Sequence, residues 1–402
     1  MRDDSTGLAH VATVSFLASR AAPSLQFFFA LGGGIALARS AMTLGARAGH
    51  GTAIASMLQT VAVMGPARIN APLTQAITAP LMGWLQARGA HWLVEFLACL
   101  VLRLVHYAVL LAALIFVILG GLDEFTGSYE TLTGWLGIVP QGAAAALVVT
   151  AAGQTLWAIF FSTIQVAAYR RALGAWPDVE PAERPESHEV VAERGSGRFD
   201  PRAIVVAALL ASALLLASTS WALLLCVTAW LIPAWLLCRP DNDAVPLGLA
   251  LAGLLAFAAL TGGLLSGAEL ELTLRRVLRA VLLVAVATWM RAAAGPGGLR
   301  ETFRRALRRL RALPALREAS EQLEGLDAGP RLIAAGRAAA DRFADVPLSP
   351  VPLVDAVIAW TAVESAGYRP GARAAPVSLR LQAPDALLVV LTLAPALALL
   401  PG

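Results

Sequence analysis

Apolar residues run on, in several places, for about the 20 positions that a helix needs to cross a roughly 30 Å hydrocarbon layer. Such stretches are Trp92 to Leu122, Gly142 to Ala168, Ala203 to Ser218, Trp221 to Cys238, Leu247 to Leu265, Val277 to Met290 with its upstream extension, and Ala386 to Leu400. Ser24 to Met42 is a further candidate, with Gly32, Gly33 and Gly34 in its middle. From Thr52 to Gln86 the apolar character is interrupted by Pro66, Arg68, Asn70, Pro72 and Pro80. Proline breaks the hydrogen-bond ladder and arginine is costly at the bilayer centre, so this region is expected to form two short broken helices or a hairpin dipping into protein. The pattern predicts an all-α polytopic membrane protein of about eight to ten transmembrane helices.

Two polar stretches divide that pattern. Gly174 to Arg202 holds Pro, Glu and Arg with too little apolar surface to bury a core, and reads as a linker. Arg291 to about Leu381 is different. Leu299, Phe303, Ala306, Leu307, Leu310 and Leu313 recur at helical spacing, while Arg300, Arg304, Arg305, Arg308, Arg309 and Arg311 fill the other faces. Pro314 is expected to end this amphipathic helix. The domain organisation that follows is a membrane domain over residues 1–173, a cytoplasmic linker over 174–202, and a second membrane domain over 203–402. The second carries cytoplasmic helices between about 291 and 381 and a final transmembrane helix.

Arginine placement orients the chain, since short cytoplasmic loops are enriched in basic residues. Arg170, Arg171 and the linker fall inside, the loop of Asp123, Glu124 and Glu130 outside, and four crossings from Ala203 to Met290 return the chain to the cytoplasm at its Arg-rich helix.

Composition agrees with the periodicity. The 402 residues are 58% hydrophobic and 14% charged, against about 25% charged in soluble domains. The formal charge of +4 comes from arginines gathered in a few segments, with no lysine anywhere, so the chain as a whole does not look like a nucleic-acid binder. Met1 to His10 lacks the pattern of a secretory signal, and the first helices are expected to be retained.

Candidate chemistry is sparse. Cys99, Cys226 and Cys238 lie in or beside apolar runs without disulfide or metal spacing. His10, His50, His91, His106 and His188 are scattered, and a phosphate-binding loop with its lysine is impossible in a lysine-free chain. Neither cofactor nor metal is expected, and no acid, base or nucleophile constellation suggests an enzyme. Ala30, Gly34 and Ala38, four apart, suit close helix packing. Gln59, Arg68, Asn70 and Gln75 are polar groups that either line a cavity or bridge packed helices. The Arg-rich helix suits anionic lipid, solvent or a docking protein.

From about Gly197 the chain resembles the transmembrane T component of energy-coupling factor transporters, the vitamin and metal importers of prokaryotes. The stretch RFDPRAIVVAALLASALLL (Arg198 to Leu216) is similar to the family's Asp-Pro-Arg entry into its first helix. Leu274 to Pro314 is similar to its helix, small break and first coupling helix, and Ala356 to Arg373 to its late signature. The resemblance implies a non-enzymatic, multi-pass subunit of the inner (cytoplasmic) membrane, whose coupling helices dock through X-Arg-X tips on separate ATP-binding subunits. A substrate-binding membrane component, separate or fused as residues 1–173, would complete the importer. Arg337, within Gly336-Arg337-Ala338, is the position carried over as a docking tip, with Glu364, Gly367 and Tyr368 from the late signature. Ala366 stands where the family has its second arginine. That departure leaves open a noncatalytic scaffold or accessory protein that keeps the fold without ATPase coupling.

Overall fold

A computed structural model describes residues 2–66, 70–119, 121–137, 139–179, 190–191, 199–238, 244–265, 267, 269–344, 346, 349–369, 373–374 and 379–399. Among them the chain is helical almost throughout. A two-residue parallel ladder pairs β1 (Val190–Val191) with β2 (Arg373–Ala374). Among the described residues, five helices are long and apolar enough to cross a membrane, and three shorter apolar ones accompany them. This is an all-α membrane protein.

The contacts gather the chain into two compact units that interleave along the sequence. The first holds Met1–Arg103, Ala158–Glu193 and Pro296–Val377; the second holds Leu104–Trp157, Arg194–Gly295 and Ser378–Gly402. The boundaries expected at 173 and 203 are therefore not those of the units. A helix packs with whatever covers its apolar face, and the N-terminal helices find that cover in segments some 300 residues downstream.

In the first unit α1 (Arg2–Ala21), α2 (Gln26–Leu44), α3 (Ala46–Met64) and α4 (Asn70–Ala87) pack with α12 (Pro314–Gly325), α13 (Gly329–Arg342) and α14 (Pro350–Gly367). The interrupted region thus forms two full helices, and Pro80 is accommodated inside α4. α2 is central: Phe29 to Ala38 is buried without a break. Small residues make this possible. A Cβ on Gly34 would stand 1.9 Å from the Tyr169 hydroxyl, and one on Gly83 would stand 1.9 Å from the Ala38 carbonyl. The small-residue face of Ala30, Gly34 and Ala38 thus meets partners inside the same chain.

Two longer helices, α5 (Trp92–Ala112) and α7 (Ala143–Gly174), begin or end in this unit. α5 is polar inside and apolar outside. Leu93, Leu97 and Val101 stand exposed at every fourth position, while Glu95, Cys99 and Arg103 are buried. A contiguous apolar exterior of this kind is stable against lipid and not against water.

The second unit shares the apolar exterior, over an interior that is itself mostly apolar. It contains α6 (Leu122–Thr133), α8 (Pro201–Ala217), α9 (Trp221–Cys238), α10 (Ala244–Leu265), the first part of α11 (Leu270–Arg309) and α15 (Ala383–Leu393), which runs on as a tight 3-10 turn over Ala394–Leu399. Leu209, Leu225, Leu236, Leu249, Phe257 and Val390 face outward. Asp200 starts α8 by accepting from the Arg202 amide, with Pro201 at the first helical position. Asp385 receives the Asp200 amide at 2.6 Å and the Gln382 amide at 2.7 Å, tying α15 to α8. Trp289 of α11 donates to the Ala234 carbonyl and meets Trp230 edge to face at 5.3 Å.

α11 joins the apolar stretch to the Arg-rich one. Gly295, with φ 66°, interrupts the helix just before Pro296. Only glycine enters this left-handed conformation without strain, and the residue before a proline resists the helical region. Pro314 opens α12, after the Arg-rich helix has already ended at Arg309.

Candidate functional site

The two segments singled out for docking, at 336–338 and 364–368, are brought together across one cleft of the first unit. α13 starts with Pro330 in its first turn, lies against α1 and presents Gly336 there; a Cβ at this position would come within 2.9 Å of the Leu17 Cβ. α14 closes the other side through Leu353 and Val357. Between them lies a cavity of about 200 Å³ lined by His10, Ala335, Ala338, Arg342, Trp360 and Glu364 among others. Arg342 Nη1 stands 3.8 Å from Glu364 Oε1, close enough for ionic attraction but longer than a hydrogen bond. His10 stacks on Tyr368 with ring centroids 4.1 Å apart, and its Nδ1 is 4.0 Å from Asp327 Oδ2.

Each docking candidate has a definite place. Arg337 is exposed in the middle of α13, one residue beyond the buried Gly336, and not at a helix end; its guanidinium makes no hydrogen bond or ion pair among the described residues. Glu364 is half-buried on the cleft wall. Gly367 and Tyr368 are interior: the Tyr368 hydroxyl donates to the Gly325 carbonyl at 2.8 Å, so its position is occupied by this chain's own packing.

The Arg-rich helix is more internally committed than its periodicity suggested. Arg304 bonds both Glu301 and Glu324, Arg305 bonds Glu301, and Arg308 bonds Glu324. Arg300 is buried and donates to the Asp327 and Glu324 carbonyls. Arg309 and Arg311 remain exposed, and so do Leu310 and Leu313, which the helical spacing had placed on the packed face. The helix ends before those two leucines, and only Leu299, Phe303 and Leu307 reach the core beneath.

Two of the four polar candidates of the N-terminal region have described side chains. Gln59 is fully buried, with neither amide atom partnered among the described residues. Gln75 accepts from the Tyr169 hydroxyl at 2.5 Å. Arg68 lies outside the described residues, and Asn70 opens α4. Sequence reasoning missed a polar line in which Arg103 donates to Gln165 and Gln165 donates to Thr78 at 2.6 Å. Its signal was an arginine within an apolar span, which must find partners in the protein interior. The described residues contain no group of three or more His, Cys, Asp or Glu side chains able to hold a metal.

No family model, no curated protein and no solved structure matches this chain.

Proposed function

We propose that this chain is a non-enzymatic coupling subunit of an energy-coupling factor type importer in the cytoplasmic membrane of a prokaryote, linking separate ATP-binding subunits to the uptake of a small molecule such as a vitamin or metal ion. The observation that carries this reading is the pairing of Gly336 with Arg337. Glycine clamps α13 against α1, while the next side chain offers an unpaired guanidinium on the outer surface. Such a fork of donors on a fixed helix can set a docking register with a carboxylate. α8, α9, α10 and the apolar part of α11 supply four crossings in this reading, α15 supplies the last, and the Arg-rich region faces the cytoplasm.

Two observations favour a second reading, a membrane scaffold that keeps the helices without ATPase coupling. Gly367 and Tyr368 are buried, and Arg304, Arg305 and Arg308 are neutralised within the chain.

Purification from native membranes in mild detergent separates the two. The coupling reading expects one or two ATP-binding proteins to co-purify, and Arg337→Glu to weaken that association by more than about tenfold, as expected when one side of a docked charge pair is reversed. Arg309→Glu, at the exposed end of α11, should matter much less. A stable chain recovered without any ATPase, with its neighbouring genes expressed, would support the scaffold. Equal losses from both substitutions would sink the Arg337 assignment.

A further inference from the structure

A second cavity of the first unit, of about 280 Å³, opens beside the C-terminal end of α2. Its walls are Leu8 of α1, Leu44 of α2, Trp176 and Pro177 beyond α7, and Ala362 and Ala366 of α14. Within it stands Arg39, half-buried on α2, its guanidinium carbon 4.9 Å from the centroid of the Trp176 ring. The guanidinium has no hydrogen bond and no carboxylate partner among the described residues; only the Arg39 carbonyl is engaged, by Thr43 Oγ1. The indole face meets the charge in part, but a group with five donors, drawn partly out of water, is left with those donors unanswered by protein among the described residues.

Other features of the cavity narrow what can compensate it. Thr43 and Ser365, which also line it, give their hydroxyl protons to the Arg39 and Ala362 carbonyls. They offer an incoming anion no donor, so recognition of negative charge falls to Arg39 alone. Asp178, exposed and also on the lining, opposes a doubly charged ligand. One cation fits one carboxylate, which a guanidinium can grip with two parallel bonds. The remaining wall is apolar and includes an indole, which suits a flat apolar body. The volume lies just below the usual range of small-molecule sites, about 300–1,000 Å³, which limits the ligand to a small one.

We propose that this cavity is a binding site for a small monocarboxylate with a flat apolar body, gripped by Arg39 beside Trp176. The site does not rest on the coupling reading: of the positions named for docking only Ala366, which lacks the family's arginine, lines it.

Calorimetric titration of the full chain in detergent micelles tests it, with benzoate as the probe. Benzoate should bind saturably at one site per chain, and benzyl alcohol, which has the ring without the charge, at least about tenfold more weakly. Arg39→Gln should weaken benzoate by about tenfold or more. Ala366→Leu leaves Arg39 intact and fills the cavity, so it should abolish binding even if Arg39→Gln fails to fold. Inorganic phosphate should bind more weakly than benzoate, and octanoate should gain nothing over it, which separates a flat soluble carboxylate from a bare anion and from a membrane fatty acid. The proposal is overturned by an absence of saturable benzoate binding up to about 10 mM. Binding indifferent to Ala366→Leu, or phosphate or octanoate binding more tightly than benzoate, would also overturn it.

Discussion

α2 and α5 both qualify by length and apolarity as membrane crossings, yet 67% of the apolar window of α2 is buried inside the protein, against 22% for α5. The residues that do the covering explain the difference. α2 carries Gly32, Gly33, Gly34, Ala36 and Ala38 where neighbouring helices press closest, so its surface is consumed by α1, α4 and α14. α5 turns Leu97, Val101, Val105 and Val109 outward and keeps Glu95, Cys99 and Arg103 within. Hydropathy reports a preference for leaving water and is silent on whether protein or lipid replaces it. Side-chain size decides between them: small residues admit another helix, whereas a stripe of large ones left without a partner implies lipid.

The largest effect should come from making one substitution on each kind of surface. Phe16, fully buried in α1, packs so closely on α2 that a Cβ on Gly33 would meet its ring at 2.4 Å. Phe16→Ala should cost about 3–5 kcal/mol. Phe257 of α10 is 67% exposed, and Phe257→Ala should stay within about 0.5 kcal/mol. Unfolding of both variants by denaturing detergent in mixed micelles measures the contrast. Equal losses would mean that the outer face of α10 is covered by protein.

How much of this was legible beforehand depended on distance along the chain. Trp221 to Cys238 is a helix with the boundaries its apolar run gave, because that signal is local. Pro314 opens a helix where the pattern predicts a stop, since a proline that ends one helix and one that opens the next look alike when only four residues intervene. Nothing near Gly336 says that it meets Leu17, nor does anything near His10 announce Tyr368. Those pairings arise from packing between segments more than 300 residues apart, and the cleft they form could not be read from either motif alone. The carry-over from the resemblance placed Tyr368 on a docking surface, whereas its ring stacks on His10 and its hydroxyl is spent on Gly325.

An inserted charge sharpens the same contrast at intermediate cost. Val105 of α5 is 57% exposed and Ala334 of α13 is also exposed. If the first faces lipid and the second water, Val105→Arg should disfavour membrane insertion by about 2.5–3.5 kcal/mol, and Ala334→Arg should be nearly silent. The inserted fraction of each variant, read from glycosylation-tagged membrane insertion, distinguishes them. A silent Val105→Arg would place that face against water or protein, and the reading of α5 as a lipid-facing span would fall.

The smallest effect probes whether the first unit also has a watery side. Arg171, near the end of α7, donates two hydrogen bonds to Asp355 of α14, at 2.6 Å to Oδ1 and 2.8 Å to Oδ2, and both side chains are about half exposed. The hydrogen bonds from Arg171 hold the Asp355 carboxyl below its ordinary value, which for an aspartate is about 4. A carboxylate whose pKa is depressed by folding stabilises the fold above its unfolded value. That contribution is lost as pH falls through the lower folded value. Wild type should therefore melt slightly above Asp355→Asn at pH 7, with the gap closing below about pH 4. Because solvent reaches the pair, the gap should also shrink in about 1 M salt, where charges more than roughly 3 Å apart are screened. A gap that ignores both pH and salt would place the pair away from water, and α14 would then join α5 among the surfaces that lipid covers.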